Sequence, residues 1–458
     1  MKTVHITNYY HKNSGGISTS YNALMAAAAR HKREVRLIVP GETRTVEEVN
    51  DFAKIYYVPA QYSPLFDKRY RVMMPWQYMV SDSIIRQILL EEMPDLIEVT
   101  DKYTLSILGA MVRTGNFKRL GRPILVHFSC ERMDDNVASF LTGGRSGKWF
   151  ARRLMGNYNL PSFDYHIANS AYTAEEFFEA VRPAENPRRS ARFMNLCWRF
   201  LKAPRVGLDS RVFVCPRGVD EEHFSPDRRS RSFREKMRAA AGLPDDALIL
   251  LYAGRISPEK NVSLLADLMF LLADDTRRDF RLLVAGDGPQ REKLQADGEV
   301  RAPGRIHFLG HLGKDELADH YANADIFVHP NPKEPFGIAP LEAMASGVPT
   351  LAPNAGGILS YATNENAWLV PPTAFHFADA VREIVSDDAL RERKVENALV
   401  TARANTRQAS TDRLFATYDR IYEDFHSRKE LFTDNAAASE FDYFGKVVKQ
   451  LSDQSGDA

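Results

Sequence analysis

The sequence predicts an α/β protein built from two doubly wound, Rossmann-like domains that face each other across a cleft. Three observations predict it. The chain has 458 residues, more than one ordinary core accommodates. Short apolar runs alternate with helical patterns, which argues for parallel sheets covered on both faces. The alternation breaks in a charged, irregular stretch near Pro226–Leu243 and then restarts.

In the first half, Val4–Thr7 reads as a strand, Ile17–Arg30 as a helix and Val35–Pro40 as a second strand. Asp95–Val99, Ile124–Phe128, Tyr165–Ala168 and Val212–Cys215 continue the strand series. In the second half the strands are Leu248–Ala253, Phe280–Ala285, Arg305–Leu309 and Ile326–His329, with helices at Val262–Leu272 and Asp315–Ala322. Strands this apolar belong in the middle of a doubly wound sheet. The expected domains are residues 1–225 and 226–408. An amphipathic helix over 409–428 would pack back on the first domain. Residues 429–458 form a polar tail in which Phe441, Tyr443 and Phe444 offer docking side chains.

Hydrophobic residues make up 44% and charged residues 26%, the balance of a globular chain. Lys plus Arg equals Asp plus Glu at 60 each, so bulk charge points away from nucleic acid. Cys130, Cys197 and Cys215 are odd in number and widely spaced, which fits a reducing cytoplasm better than a disulfide framework or a metal site. The chain enters its first strand without an apolar leader, and no run approaches the roughly 20 apolar residues of a membrane span. The expected location is the cytoplasm, with peripheral contact on the inner membrane face as a further option.

Chemistry gathers at the carboxyl ends of the predicted strands, where doubly wound folds bind ligands. After Ile326–His329 comes Pro330-Asn331-Pro332-Lys333-Glu334-Pro335-Phe336-Gly337, and a helix then starts near Ile338. That arrangement offers free backbone N–H groups and a positive helix end to a diphosphate. Glu334 in the loop could accept hydrogen bonds from a sugar, and Glu342, one turn into the helix, from a ribose. A solvated loop charge and a first-turn helix acid are the plainer readings. After Leu248–Ala253 comes Gly254-Arg255-Ile256-Ser257-Pro258-Glu259-Lys260. Arg255 could clamp phosphate with its planar fork and Lys260 add a point charge, so two fixed cations replace a metal ion. Surface cations are the alternative, yet cations at a helix start are unfavourable unless an anion is expected. Gly286-Asp287-Gly288-Pro289 lets a backbone turn approach a ligand, although it lacks the third glycine of a dinucleotide fingerprint. Gly15-Gly16 precedes the first helix, and Asn354-Ala355-Gly356-Gly357 forms another glycine turn.

Together, Gly15-Gly16, Gly254-Arg255 with Lys260, Gly286-Asp287-Gly288-Pro289, and Glu334-Pro335-Phe336-Gly337 with Glu342 resemble retaining glycosyltransferase family 4 of the GT-B fold. The resemblance runs from about residue 3 to residue 425. It implies a metal-independent hexosyltransferase, of mannosyl or glucosyl type, that uses a UDP- or GDP-sugar and needs no cofactor. The acceptor would be a hydroxyl of a glycan, glycolipid or small molecule, in glycan, polysaccharide or glycolipid synthesis. By the same resemblance Arg255 and Lys260 bind the donor diphosphate, and Glu334 the transferred sugar. The backbone of Phe336, Gly337, Ile338 and Ala339 lines sugar and phosphates, Glu342 binds ribose, and Gly15, Gly16 and Gly286 approach the donor. A non-catalytic nucleotide-sugar-binding subunit and a GT-B epimerase or phosphorylase are the rival functions.

Two positions depart from the family. Relatives carry a histidine at the end of the strand that matches Ile124–Cys130, and in a His-Glu-Arg motif that slot falls on Cys130. His127 is then either the family histidine, shifted and catalytic, or a core histidine. Arg217 stands where relatives usually carry Asn.

One further segment is unusual. Residues 182–208 hold Arg182, Arg188, Arg189, Arg192, Arg199, Lys202 and Arg205 against the single acid Glu185. Within it Phe193, Leu196, Cys197, Phe200 and Leu201 recur at helical spacing. A basic amphipathic helix of this kind either docks on anionic lipid or packs its stripe on its own domain.

Overall fold

A computed structural model describes residues 1–11, 16–63, 71–140, 144–183 and 186–444. The chain forms two compact units, Met1–Pro216 with Thr411–Ala458, and Arg217–Ser410.

The first unit is built on a sheet of eight strands: β1 (Lys2–Ile6), β2 (Glu34–Gly41), β3 (Thr45–Asn50), β4 (Ala53–Pro59), β7 (Leu96–Val99), β8 (Ile124–Ser129), β9 (Tyr165–Ala168) and β10 (Val212–Val214). Two short strands, β5 (Gln61–Tyr62) and β6 (Arg71–Val72), pair separately. The sheet order is β10-β9-β8-β7-β1-β2-β4-β3. All pairings in it are parallel except β3 with β4. That hairpin escapes the sequence reading because Thr45–Asn50 is exposed along most of its length and carries no apolar face.

The second unit has six strands: β11 (Leu248–Ala253), β12 (Phe280–Ala285), β13 (Ile306–Gly310), β14 (Ile326–Val328), β15 (Thr350–Pro353) and β16 (Trp368–Val370). Their order is β13-β12-β11-β14-β15-β16, all parallel. This is the doubly wound order in which the winding reverses between the first and fourth strands. The ladder leaves the carboxyl ends of β11 and β14 side by side.

The charged stretch Pro226–Leu243 is part of the second unit and not a solvated linker; the chain passes between units at Pro216–Arg217. Its arginines have partners: Arg228 with Asp319 at 2.8 Å and Arg234 with Asp325 at 2.7 Å. Phe224, Met237 and Leu243 sit in that unit's core. Composition alone cannot tell a paired arginine from a solvated one.

The helix Arg407–Ser427 buries Phe415, Tyr418, Ile421 and Phe425 against β2, β8 and their neighbours in the first unit. Each such side chain contributes about 1.5–3 kcal/mol relative to exposure. The polar tail is described as far as Phe444, and its aromatic side chains dock. Phe432 stacks on Tyr165 at 5.1 Å, and Tyr443 lies 5.4 Å from Trp198 and donates its hydroxyl to the Ala203 carbonyl at 2.6 Å.

The helix Arg188–Phe200 departs from both plain patterns. It buries Ala191, Met194 and Trp198, while Phe193, Leu196 and Phe200 are 57%, 63% and 73% exposed. The apolar stripe read from the sequence therefore faces outward, apart from half-buried Cys197 and buried Leu201. The basic residues divide as well. Arg199 and Arg205 donate to backbone carbonyls of residues 430–441, and Lys202 bonds Ser439, so these three hold the C-terminal segment. Arg188, Arg189 and Arg192 are exposed. Among the described residues, no helix is long and apolar enough to cross a membrane.

Candidate active site

In the second unit the switch point between β11 and β14 carries the two loops that the sequence singled out. The first turn after β14 brings Glu334 back over the strand end, where Lys260 meets its carboxylate at 2.8 Å. Asn331 donates to the same oxygen at 3.0 Å, and His329 Nε2 lies 3.5 Å away. Asn261 donates to the Pro330 carbonyl at 3.0 Å and so ties the β11 loop to the β14 loop. Sequence spacing gives no warning of this last link, because the two residues are far apart in the chain.

These contacts set the charge state. Burial by itself would raise the Glu334 pKa, but Lys260, His329 and Asn331 overcome it and hold the carboxyl at about 2. Burial brings His329 down to about 4, so its ring is neutral at pH 7. Both His329 ring nitrogens are buried without a hydrogen-bond partner. A buried polar side chain left so beside an ionised carboxylate is a cost that a bound ligand can remove. In the sequence His329 stands out only as the end of a strand.

Glu342 is held differently. Burial raises its pKa to about 7, and the Tyr321 hydroxyl, which donates to it at 3.3 Å, offsets this only in part. The helix that carries it, Ile338–Ala345, starts after Gly337 at φ +90°, a conformation that favours glycine. The first N–H groups of that helix have no intrahelical partner, and Tyr361 fixes the turn by donating to the Gly337 carbonyl. The glycine turn after β15 closes against the same loop. Gly357 N–H donates to the Glu334 carbonyl at 2.6 Å, and a Cβ on Gly357 would come within 1.9 Å of the Pro335 carbonyl oxygen. Gly286 follows β12 at φ +140°, and a Cβ there would meet the Gly254 carbonyl oxygen at 1.9 Å. Its smallness is thus needed for loop-on-loop contact beside Arg255.

The structure therefore gathers Arg255, Lys260, Gly286, Glu334, Phe336, Gly337, Ile338, Ala339 and Glu342 on the carboxyl edge of one sheet. Phe336 itself is buried under the loop against Tyr361, so its backbone and not its ring faces outward. Gly16 opens the helix Gly16–His31 after β1 in the first unit. Gly15 lies outside the described residues.

Of the two readings of His127, the catalytic one has to be corrected. Its side chain is fully buried in the middle of β8, 5.5 and 5.8 Å from the rings of Phe163 and Phe177 and with its Nδ1 3.4 Å from that of His166. Burial pushes its pKa well below the ordinary value. It is a neutral core histidine and not a group at the sheet edge. Position 130 lies three residues further on, about 10 Å along the strand. Cys130, half-buried just past β8, occupies that edge.

Residues 233–400 match the family described as glycosyl transferases group 1, and residues 15–189 match the glycosyl transferase 4-like domain. The chain belongs to the family 4 type of GT-B glycosyltransferases. It is a hexosyltransferase that takes a nucleotide-sugar donor. Among its relatives is a GDP-mannose-dependent alpha-(1-6)-phosphatidylinositol dimannoside mannosyltransferase of Mycobacterium tuberculosis, 29% identical over 84% of this chain and 88% of that one. A GDP-mannose-dependent alpha-mannosyltransferase of Corynebacterium glutamicum is 27% identical over 78% of this chain and 73% of that one. Two solved structures share the fold. Anabaena HepE in complex with UDP has a TM-score of 0.63 at 18% identity, covering 92% of this chain and 100% of that one. Sucrose-phosphate synthase from Thermosynechococcus elongatus has a TM-score of 0.64 at 19% identity, covering 93% and 100%.

Proposed function

We propose that this glycosyltransferase moves a mannosyl group from GDP-mannose to a hydroxyl of a glycolipid headgroup, with retention at the anomeric carbon. The observation that carries the reading is the Glu334 carboxylate, ionised and pinned by Lys260 beside the open start of the Ile338–Ala345 helix. A carboxylate so held can accept hydrogen bonds from sugar hydroxyls at neutral pH without losing its charge. The likeness to two GDP-mannose-dependent enzymes supports the choice of donor.

In this reading the diphosphate lies on the N–H groups of Phe336–Ala339, with Arg255 and Lys260 supplying positive charge. As the bond from the anomeric carbon to the diphosphate breaks, its electron pair passes to the phosphate oxygen, and the two cations stabilise the charge that develops there. The acceptor oxygen attacks from the same face, and the departing phosphate takes its proton. Glu342 accepts from the ribose hydroxyls. No metal ion is required, so chelation with EDTA leaves turnover unchanged.

The outward face of the Arg188–Phe200 helix supports an acceptor presented at a membrane. Phe193, Leu196 and Phe200 would enter the headgroup boundary while Arg188, Arg189 and Arg192 meet anionic lipid. Trp149 and Phe150, more than half exposed on the helix Arg145–Leu154, extend that surface. Arg153 lies over the Trp149 ring and bonds Ser190 at the start of the arginine-bearing helix.

The test is a thermal-shift panel of GDP, UDP, ADP and their hexose conjugates. GDP-mannose is expected to give the largest shift, since a ligand at 100 times its Kd adds about 2.7 kcal/mol. A larger shift with UDP- or ADP-sugars contradicts the donor assignment. Hydrolysis of the preferred donor by the isolated chain separates a transferase from a non-catalytic subunit.

A further inference from the structure

We infer that Glu131 is an acceptor-binding residue whose carboxylate holds hydroxyls of a neutral polyol at the carboxyl edge of the first unit's sheet. The inference rests on the glycolipid-headgroup reading above and names the residue that would hold that headgroup.

The placement comes from topology. In the order β8-β7-β1-β2 the chain winds from β1 to β2 on one side and returns to β7 on the other, so the first unit has its switch point at β1 and β7. Crevices at such points bind ligands in open α/β sheets. Tyr9 follows β1, Asp101, Lys102 and Tyr103 follow β7, and Cys130 and Glu131 follow β8. The Tyr9 hydroxyl reaches Glu131 Oε1 at 3.3 Å, and Asn136 Nδ2 donates to Glu131 Oε2 at 2.7 Å. Tyr9, Tyr103, Cys130, Glu131 and Asn136 are all half-buried, so the cluster is reachable from solvent. A carboxylate has room for about four hydrogen bonds. Two from the described residues leave room for the paired hydroxyls of a sugar or cyclitol.

Charge says what the ligand is. Among the described residues, the ammonium of Lys102 lies close but is turned away: it donates to the Glu176 carboxylate at 2.7 Å and to the Glu131 backbone carbonyl. The next residue, Arg132, is tied to Asp134 at 2.9 Å and to Glu179. Asp101 accepts from Asn8 at 3.2 Å and from the Leu105 N–H at 2.9 Å. Among the described residues, the groups that face Glu131 are thus Tyr9, Tyr103, Asn136, a Lys102 already paired, and the acids Asp101 and Glu176. Such a lining repels phosphate and suits neutral hydroxyl donors. Burial, with help from Glu176 and Asp101, raises the Glu131 pKa against the opposing pull of Lys102 and Asn136. Perturbed carboxyls of this kind gather at functional sites.

The experiment uses the full chain and vesicles containing phosphatidylinositol mannosides. Three quantities are measured for wild type, Glu131→Gln and Asn136→Ala: KM for the vesicle acceptor, GDP-mannose hydrolysis without acceptor, and GDP affinity. Glu131→Gln is expected to raise the acceptor KM by about 10- to 100-fold, as expected for losing hydrogen bonds to a charged group. Hydrolysis and GDP affinity should stay within about twofold of wild type. The wild-type 1/KM should fall on the acid side, where Glu131 protonates. Asn136→Ala should move that fall to higher pH, and Glu131→Gln should abolish it. An unchanged KM in Glu131→Gln overturns the inference. So does a parallel loss of hydrolysis and GDP affinity, the pattern of a purely structural residue. A wild type that hydrolyses GDP-mannose but has no measurable affinity for the vesicle acceptor overturns it too. A wild type that ignores GDP-mannose refutes the donor reading instead, and the same comparison with the preferred donor then decides Glu131.

Discussion

The carboxyl edges of the two sheets answer opposite chemical demands with the same topology. On the second unit's edge, a cation is brought to the carboxylate, and Glu334 stays ionised down to about pH 2. On the first unit's edge, the cations Lys102 and Arg132 are turned to other acids, and Glu131 is left with a raised pKa. The first arrangement suits a leaving diphosphate. The second suits a neutral hydroxyl. A doubly wound sheet supplies the crevice in both cases, and the few residues after each strand decide what it binds.

The largest effect should come from the carboxylate at the centre of the charged edge. Glu334→Ala is expected to lower kcat/KM by roughly 10²–10³-fold, the range seen when one preorganised group at the reacting centre is removed, with an unchanged far-UV spectrum. Near-wild-type turnover would remove the distinction between the two edges. Arg255→Ala and Lys260→Ala should each weaken GDP, and not only the sugar donor, by about 10- to 100-fold in calorimetry. Loss confined to the sugar would place the diphosphate elsewhere.

The two glutamates of the charged edge should also differ in sign with pH. Glu334 has its pKa depressed from 4.5 to about 2, so it stabilises the fold above pH 4.5, and that contribution is lost as pH falls toward 2. Glu342 has its pKa raised from 4.5 to about 7, so its ionisation costs stability as pH rises through that window. Glu342→Gln should therefore melt higher than wild type at pH 8. Because ribose hydroxyls favour the ionised form, GDP affinity should fall as pH drops below about 7, and Glu342→Gln should flatten the profile. A flat wild-type profile would take Glu342 out of the nucleotide site.

The smallest effect concerns the outer face of the first unit. Reversing Arg188, Arg189 and Arg192 to Glu should release the protein from anionic vesicles in co-sedimentation, by about 1 kcal/mol per charge, while leaving GDP affinity intact. Equal binding of variant and wild type would mean that the exposed Phe193, Leu196 and Phe200 have another partner.

What could be read from sequence follows from how local each feature is. The parallel strands were legible because buried strands are apolar runs, and Glu334 with Glu342 because they sit in one loop and the helix it enters. The Lys260–Glu334 pair and the Asn261 link were not, since they join loops from different strands. His127 stayed open between core and edge because a histidine near a strand end looks the same in sequence whether it points into the core or out at the edge. The Arg188–Phe200 stripe was legible as amphipathic, yet its direction depended on Ala191, Met194 and Trp198 taking the inner face. Glu131 drew no attention, for its significance lies in Tyr9 and Asn136 reaching it and in Lys102 turning away.

The central claim is that the charged edge delivers a hexose from its nucleotide to a hydroxyl. The most direct measurement is proton NMR of the product formed from GDP-mannose and a phosphatidylinositol mannoside, with wild type and Glu334→Ala side by side. Wild type should give one new α-mannosidic anomeric signal and stoichiometric GDP, and the variant no more than about a hundredth of either in the same time. A β-linked product, or an α-linked product formed equally fast by Glu334→Ala, would contradict it.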